Sequence, residues 1–150
     1  MTKHLPFKDN TFDSVFSCGV FEYFTDEQIK SILREAFRIS KKRVIIMVPN
    51  ALSIPYRMGM WYMRMTKNWP WGGERPFVTL KSHFKAVGAT RISEFSVGTK
   101  HSLNFLTMRG GETLRKWTAR LLNLHDHSNP ALFRQGYLLV SVAEKVLSYA

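Results

Sequence analysis

Two short segments place groups able to bind a ligand at the ends of apolar runs. Ser17-Cys18-Gly19-Val20 follows the run that starts at Phe12, and Pro49-Asn50 follows Val44–Val48. A glycine in such a loop lets backbone approach a ligand closely. A third set, Tyr56, Arg57, Trp61, Trp71 and Glu74, lies in a stretch of unusual composition. Residues 50–77 hold three of the four tryptophans and four of the seven methionines, with Pro55, Pro70, Pro76 and Gly72-Gly73. Aromatic rings beside an arginine suit an apolar or anionic small molecule. Two further patterns carry less. His125-Asp126-His127 sets two imidazoles at i and i+2 but brings no other ligand cluster, so no metal site is assigned. Cys18, the single cysteine, has no motif beside it that would activate a nucleophile and reads as a small buried side chain. One cysteine allows no intrachain disulfide and makes a reducing, cytoplasmic setting the default.

These groups need a frame to hold them. Phe12–Ser17 reads as a buried strand introduced by the turn residues Asp9-Asn10. Thr25–Ser40 reads as a helix: Thr25 as N-cap and Gln28 three residues on make a capping box. Ile29, Ile32, Leu33, Ala36 and Phe37 form one apolar stripe. Lys41-Lys42-Arg43 are expected at the helix C-terminus, where cations complement the dipole. Val44–Val48 is a continuous, mostly β-branched run stopped by Pro49-Asn50, the pattern of a strand buried on both faces of a parallel sheet. Strand, helix, strand at this spacing is a βαβ crossover, with both strands delivering their C-terminal ends to one side. In open α/β sheets ligands bind outside such ends. Further along, a short helix is expected near Tyr56–Met65 and another over Leu80–Val87, ended by Gly88. A strand is expected at 90–97, a basic helix at Glu112–Leu124, and a last strand at Gly136–Ala143, with a helix over 137–148 as the competing reading.

The chain of 150 residues is at most one domain, with an apolar fraction of 45% that supports a packed core. No apolar run approaches the roughly 20 residues that span a bilayer. The net charge of +11 is uneven: residues 1–49 hold eight Lys/Arg against six acids, and the remainder holds fourteen against five. Such a field favours an anionic partner, whether a metabolite, an acidic membrane surface or nucleic acid. Nucleic acid is the weakest of these, because no recognised binding module is visible.

Leu5-Pro-Phe, Asp9, Phe12-Asp13 and Ser17-Cys-Gly-Val-Phe-Glu22, in this order and spacing, resemble the middle motifs of class I S-adenosylmethionine-dependent methyltransferases, and most closely the small-molecule "type 11" branch. Gly136–Lys145 resembles that family's final strand. The resemblance implies an α/β, Rossmann-like methyltransferase fold: a mixed sheet with parallel strands 12–17 and 43–48, later strands near 90–97 and 136–143, the last one antiparallel, and flanking helices. It implies S-adenosylmethionine as cofactor, with Ser17, Cys18, Gly19, Val20 and Phe21 along its edge. It implies a substrate-lid insert at 50–77 and a helical insert at 100–135. Tyr23, Asn50, Tyr56, Arg57, Trp61, Trp71 and Glu74 are then the candidates for contact with a small-molecule or lipid-like acceptor. Tyr23 stands where many members carry His, which removes a base or orienting group, and no catalytic residue is assigned.

The family also uses a Gly-rich loop after its first strand. This sequence has nine glycines and no Gly-x-Gly. The expectation is therefore an incomplete, C-terminal portion of the domain spanning 1–150, inactive alone. Two alternatives follow from other classes. One is a non-catalytic interaction module that completes a sheet with another chain supplying the N-terminal half. The other is a basic binder at an anionic membrane surface, using 50–77, which would make the protein peripheral at a membrane.

Overall fold

A computed structural model describes residues 4–106, 113, 116–117, 120 and 135–145. Its elements in chain order are β1 (Phe12–Cys18), a 3-10 turn (Phe21–Tyr23), α1 (Asp26–Ile39), β2 (Ser40–Pro49), α2 (Ile54–Met65), α3 (Lys81–Ala86), β3 (Arg91–Val97), α4 (Thr99–Ser102) leading into a 3-10 turn (Leu103–Leu106), and β4 (Leu138–Glu144). The four strands form one sheet in the order β1-β2-β4-β3. β1 and β2 are parallel, with Val15 opposite Val44 and Cys18 opposite Met47, and a register slip between Phe12 and Ser14. β4 runs antiparallel to β2: Lys145 N–H donates to Lys42 O at 2.7 Å, while Asn50 N–H donates to Tyr137 O at 2.8 Å. This is the mixed α/β sheet expected, and the strand expected over Gly136–Ala143 forms at Leu138–Glu144, where the competing reading had a helix.

The chain divides into two compact units. The first comprises Met1–Val48, Thr79–Glu94 and Val140–Ala150, and the second comprises Pro49–Val78 and Phe95–Leu139. In the first unit the capping box forms as the sequence predicts. Gln28 N–H donates to Thr25 Oγ1 at 3.4 Å, and Thr25 N–H donates to Gln28 Oε1 at 2.9 Å. Ile29, Leu33, Ala36 and Ile39 are buried from α1, and Phe37 meets Phe84 of α3 edge to face at 6.0 Å. Glu94 links β3, β4 and the start of α3. Its carboxylate accepts from Thr79 Oγ1, Leu80 N–H and Ser141 Oγ, each at 2.8 Å.

Four expectations need correction here. Lys41, Lys42 and Arg43 do not cap α1. The helix ends at Ile39, and these residues are exposed in β2, which starts at once because Ser40 already pairs with Phe12. The cation at the end of α1 comes instead from the far end of the sequence: Lys145 Nζ donates to Phe37 O at 2.9 Å and Ser40 O at 3.0 Å. Second, β1 is not buried. It is the outer strand of the described sheet, Phe16 is 70% exposed, and only Val15 and Ser17 are half-covered. Third, Cys18 is exposed for the same reason. Fourth, β2 is buried on one face through Val44, Ile46 and Val48, while Ile45 and Met47 on the other face are half-buried.

The second unit is held by aromatic packing. Tyr56 is fully buried, with Phe105 and Tyr137 each 5.2 Å away between ring centroids and Trp69 at 6.1 Å. Helix α2 begins two residues earlier than expected because Pro55 fits the first turn, where its missing N–H costs nothing. At Gly59, α2 lies against Phe105 so closely that a Cβ would stand 2.5 Å from that residue's Cβ and 2.6 Å from its carbonyl oxygen. The expected helix over Glu112–Leu124 falls almost wholly outside the described residues, as do His125-Asp126-His127. Within that range only Thr113, Lys116, Trp117 and Arg120 are described, and Trp117 is 60% exposed.

Candidate functional site

In the first unit the loop leaving β1 carries the predicted cofactor edge. Gly19 N–H donates to Met47 O at 3.1 Å, extending the parallel pairing one residue past Cys18. The backbone then turns with Gly19 at φ 68°, a left-handed conformation that side-chain-bearing residues rarely adopt. Space is not what demands glycine: among the described residues beyond its chain neighbours, an added Cβ would meet only Glu22 Oε1, at 3.6 Å. Ser17 is half-buried, Cys18 and Gly19 are exposed, and Val20 is 44% exposed, so this strand exit presents an accessible rim. Phe21 turns inward: it is buried and meets Phe24 edge to face at 6.4 Å, so its ring is a support for the loop. Glu22 is buried beside it, and Tyr23 is 51% exposed. A buried carboxylate one residue into the turn was not singled out from the sequence; the only available signal was the acid within the Ser17–Glu22 motif.

In the second unit the seven-residue acceptor set, Tyr23 apart, separates into three places. Asn50 is a structural staple. It is buried, its Nδ2 donates to Gly136 O at 2.9 Å, and its Oδ1 accepts from Leu52 N–H at 2.9 Å. The loop before Val78 returns to this point, where Phe77 N–H donates to Pro49 O and Ala51 N–H donates to Phe77 O, each at 2.8 Å.

Tyr56, Glu74 and Trp71 come together. Tyr56 OH donates to Glu74 Oε1 at 2.9 Å, and Glu74 is 3% exposed. Trp71 meets Trp69 at 4.8 Å and Phe105 at 6.2 Å, with its own outer surface 41% exposed. Burial pushes the Tyr56 phenol well above its usual range, and the nearby Glu74 charge adds to this. Burial likewise raises the Glu74 carboxyl above the usual carboxylate value, opposed by the Tyr56 hydrogen bond and by the Arg64 charge. Among the described residues, Glu74 Oε2 and Trp69 Nε1 have no hydrogen-bond partner. Trp69, Phe105 and Tyr137 were missed in the sequence because they lie up to 81 positions from Tyr56, and only tertiary packing brings them to it.

Arg57 and Trp61 lie elsewhere, on the exposed side of α2. Trp61 is 65% exposed, and Arg57 Nη1 donates to Ala51 O at 3.2 Å. Among the described residues no group of three or more His, Cys, Asp or Glu is placed to hold a metal ion.

Residues 1–48 match the model of a family described as a methyltransferase domain. No curated protein matches the chain. Among solved structures, a S-adenosylmethionine-dependent methyltransferase from Thermotoga maritima is 18% identical with a TM-score of 0.57, covering 94% of this chain and 59% of its own. One from Archaeoglobus fulgidus is 17% identical with a TM-score of 0.57, covering 93% and 62%. A chain from the Haloferax volcanii complex of a methyltransferase with a methyltransferase activator is 17% identical with a TM-score of 0.53, covering 93% and 56%. The chain therefore spans about six-tenths of the length of the first two solved chains. Its fold is similar to the Rossmann-like fold of these solved chains, and its first third matches the methyltransferase-domain model.

Proposed function

We propose that this chain supplies the strand-exit rim and the acceptor side of an S-adenosylmethionine-dependent methyltransferase. The observation that carries the reading is the exit of β1. Gly19, at φ 68° and bonded to Met47 O, turns an accessible backbone loop away from two parallel strands inside the segment that matches the family. The fit to the cofactor is favourable: Ser17, Cys18, Gly19 and Val20 are reachable, and among the described residues beyond its chain neighbours only Glu22 Oε1 lies within 4 Å of where a Gly19 side chain would start. When bound, the cofactor supplies an electrophilic methyl group on a sulfonium. The chain's part is to orient that group and to keep water out.

Glu74 is proposed as the residue that meets the acceptor. A buried carboxyl with one oxygen held by Tyr56 and the other without a partner is placed to receive an N–H or O–H from a small-molecule or lipid-like acceptor. Trp71, whose carbonyl accepts from Glu74 N–H at 3.3 Å, offers an apolar ring in the same cluster. Because the chain spans about six-tenths of the solved chains, turnover is expected of these residues together with the remainder of such a domain, and the 150 residues alone are proposed to be inactive.

Calorimetric titration of S-adenosylmethionine into the protein carrying this domain tests the rim. Gly19→Val is expected to weaken binding by about tenfold or more, since a β-branched residue resists positive φ. Unchanged affinity in a correctly folded Gly19→Val protein would refute the reading.

A second reading has its own observation. β1 is the outer strand of the described sheet and carries Phe16 at 70% exposure, a surface on which another chain could add a strand. In that reading the domain is an interaction module. Size-exclusion chromatography with and without an N-terminal half-domain separates the two, and a well-behaved monomer that ignores the half-domain removes this alternative.

A further inference from the structure

Helix α2 has two apolar faces, and only one of them is used. Tyr56, Gly59 and Met60 face inward and are buried. On the other side Ile54, Met58, Trp61, Tyr62 and Met65 are 61%, 54%, 65%, 43% and 69% exposed. Their spacing of i, i+4, i+7, i+8 and i+11 is one continuous stripe along the helix. A soluble surface rarely leaves a large apolar stripe open without a use for it.

The stretch that carries the stripe exposes charge of one sign. Between positions 49 and 78 the sequence has four Lys/Arg (Arg57, Arg64, Lys67 and Arg75) and one acid. That acid is Glu74, which is 3% exposed. The surface of this stretch thus shows cations and no carboxylate. Arg57 and Arg64 border a shallow groove of about 570 Å³ whose other walls are Met58, Met60, Trp61 and Met65. Arg64 also lies over the Trp69 ring at 5.9 Å and donates to Glu74 O at 2.7 Å, so its guanidinium is held at the edge of the stripe.

We propose that the outer face of α2 docks on an anionic lipid bilayer. Trp and Tyr prefer the headgroup boundary, Ile and Met enter the acyl layer, and the arginines meet lipid phosphates. The helix has 12 residues, and no helix among the described residues is long and apolar enough to cross a membrane, so the contact is with the surface. The proposal stands apart from methyl transfer: its apolar stripe, Ile54, Met58, Trp61, Tyr62 and Met65, is exposed, whereas Tyr56 and Glu74 are buried.

Co-sedimentation of the 150-residue chain with vesicles tests it. One set is phosphatidylcholine alone, and the other contains phosphatidylglycerol as well. Binding is expected on the anionic set at low salt, and it should weaken as salt rises. Trp61→Glu with Met65→Glu is expected to lower binding by about tenfold or more, while leaving the circular dichroism spectrum unchanged, because both residues are exposed. Arg57→Glu should lower binding roughly tenfold on anionic vesicles alone. Ile54→Glu gives an independent check on the same stripe. Three results would overturn the proposal. The first is no binding to anionic vesicles at low salt. The second is binding indifferent to these substitutions. The third is self-association of the chain that the double variant abolishes, which would assign the face to a second copy.

Discussion

The two units use opposite electrostatics to hold their loops. In the first, Arg38 gathers the segment before β1. Its guanidinium donates to Asp9 at 2.6 Å, to Glu35 at 2.6 and 2.9 Å, and to the Phe7 and Leu5 carbonyls at 2.8 and 3.2 Å. Those Arg38 bonds, joined by the Leu5 N–H, hold the Glu35 carboxyl down to about 2. In the second unit the polar centre is a buried phenol and carboxyl among aromatic rings, and burial raises the carboxyl. The first arrangement is favoured by ionisation and the second by protonation. The contrast shows that a charge network at a partly exposed edge stabilises a folded loop only while it is charged. A buried carboxyl is tolerated best when neutral.

The largest effect is expected from removing the centre of the aromatic unit. Tyr56→Ala deletes a fully buried ring and is expected to cost about 4 kcal/mol in urea unfolding. A loss under about 1 kcal/mol would mean the rings are not packed as described. Gly59→Ala forces a Cβ against Phe105 backbone and is expected to cost about 2 to 3 kcal/mol. The same helix carries the proposed bilayer face, so this variant also separates loss of packing from loss of membrane contact.

Smaller effects sharpen the electrostatic contrast. Glu74 has a raised folded value, so its contribution is fully present below the ordinary 4.5 and is lost as pH rises through that raised value. Glu74→Gln keeps an oxygen for Tyr56 and cannot ionise. It is expected to be more stable than wild type near neutrality, by an amount that shrinks as pH falls from that raised value to 4.5. An advantage that grows in acid would reverse the assignment. Glu35 behaves in the opposite sense. Its stabilising contribution is present above 4.5 and is lost as pH falls toward about 2. Arg38→Ala should therefore destabilise the protein at neutral pH, with the difference from wild type fading through that window. Thermal unfolding across the pH range reads both variants.

Local signals made the first unit legible. Thr25 and Gln28 set the start of α1, and the apolar stripe from Ile29 set the face it buries. The β-branched run at 44–48 required a strand. The Ser17–Glu22 motif placed the end of β1 and the turn that follows it. The errors in this unit arose where long-range pairing overrode local preference. Lys41–Arg43 fit a helix end by type, yet Ser40 pairs with Phe12 and draws them into β2.

The second unit was legible only in composition. The sequence showed that residues 50–77 are rich in Trp, Met, Tyr and Arg, and it could not say which of them face inward. A helix buries about half its surface against one neighbour, and the neighbour decides which half. Here that neighbour is Phe105, with Trp69 from the same stretch and Tyr137 from far along the chain closing around Tyr56. What the sequence determined alone were the periodicities, caps and motif of the βαβ frame, because those depend on residues within a turn or two of one another. Tertiary packing decided the burial of Glu74, the structural duty of Asn50 and the exposure of Trp61. Each of those is set by contacts that no local spacing encodes.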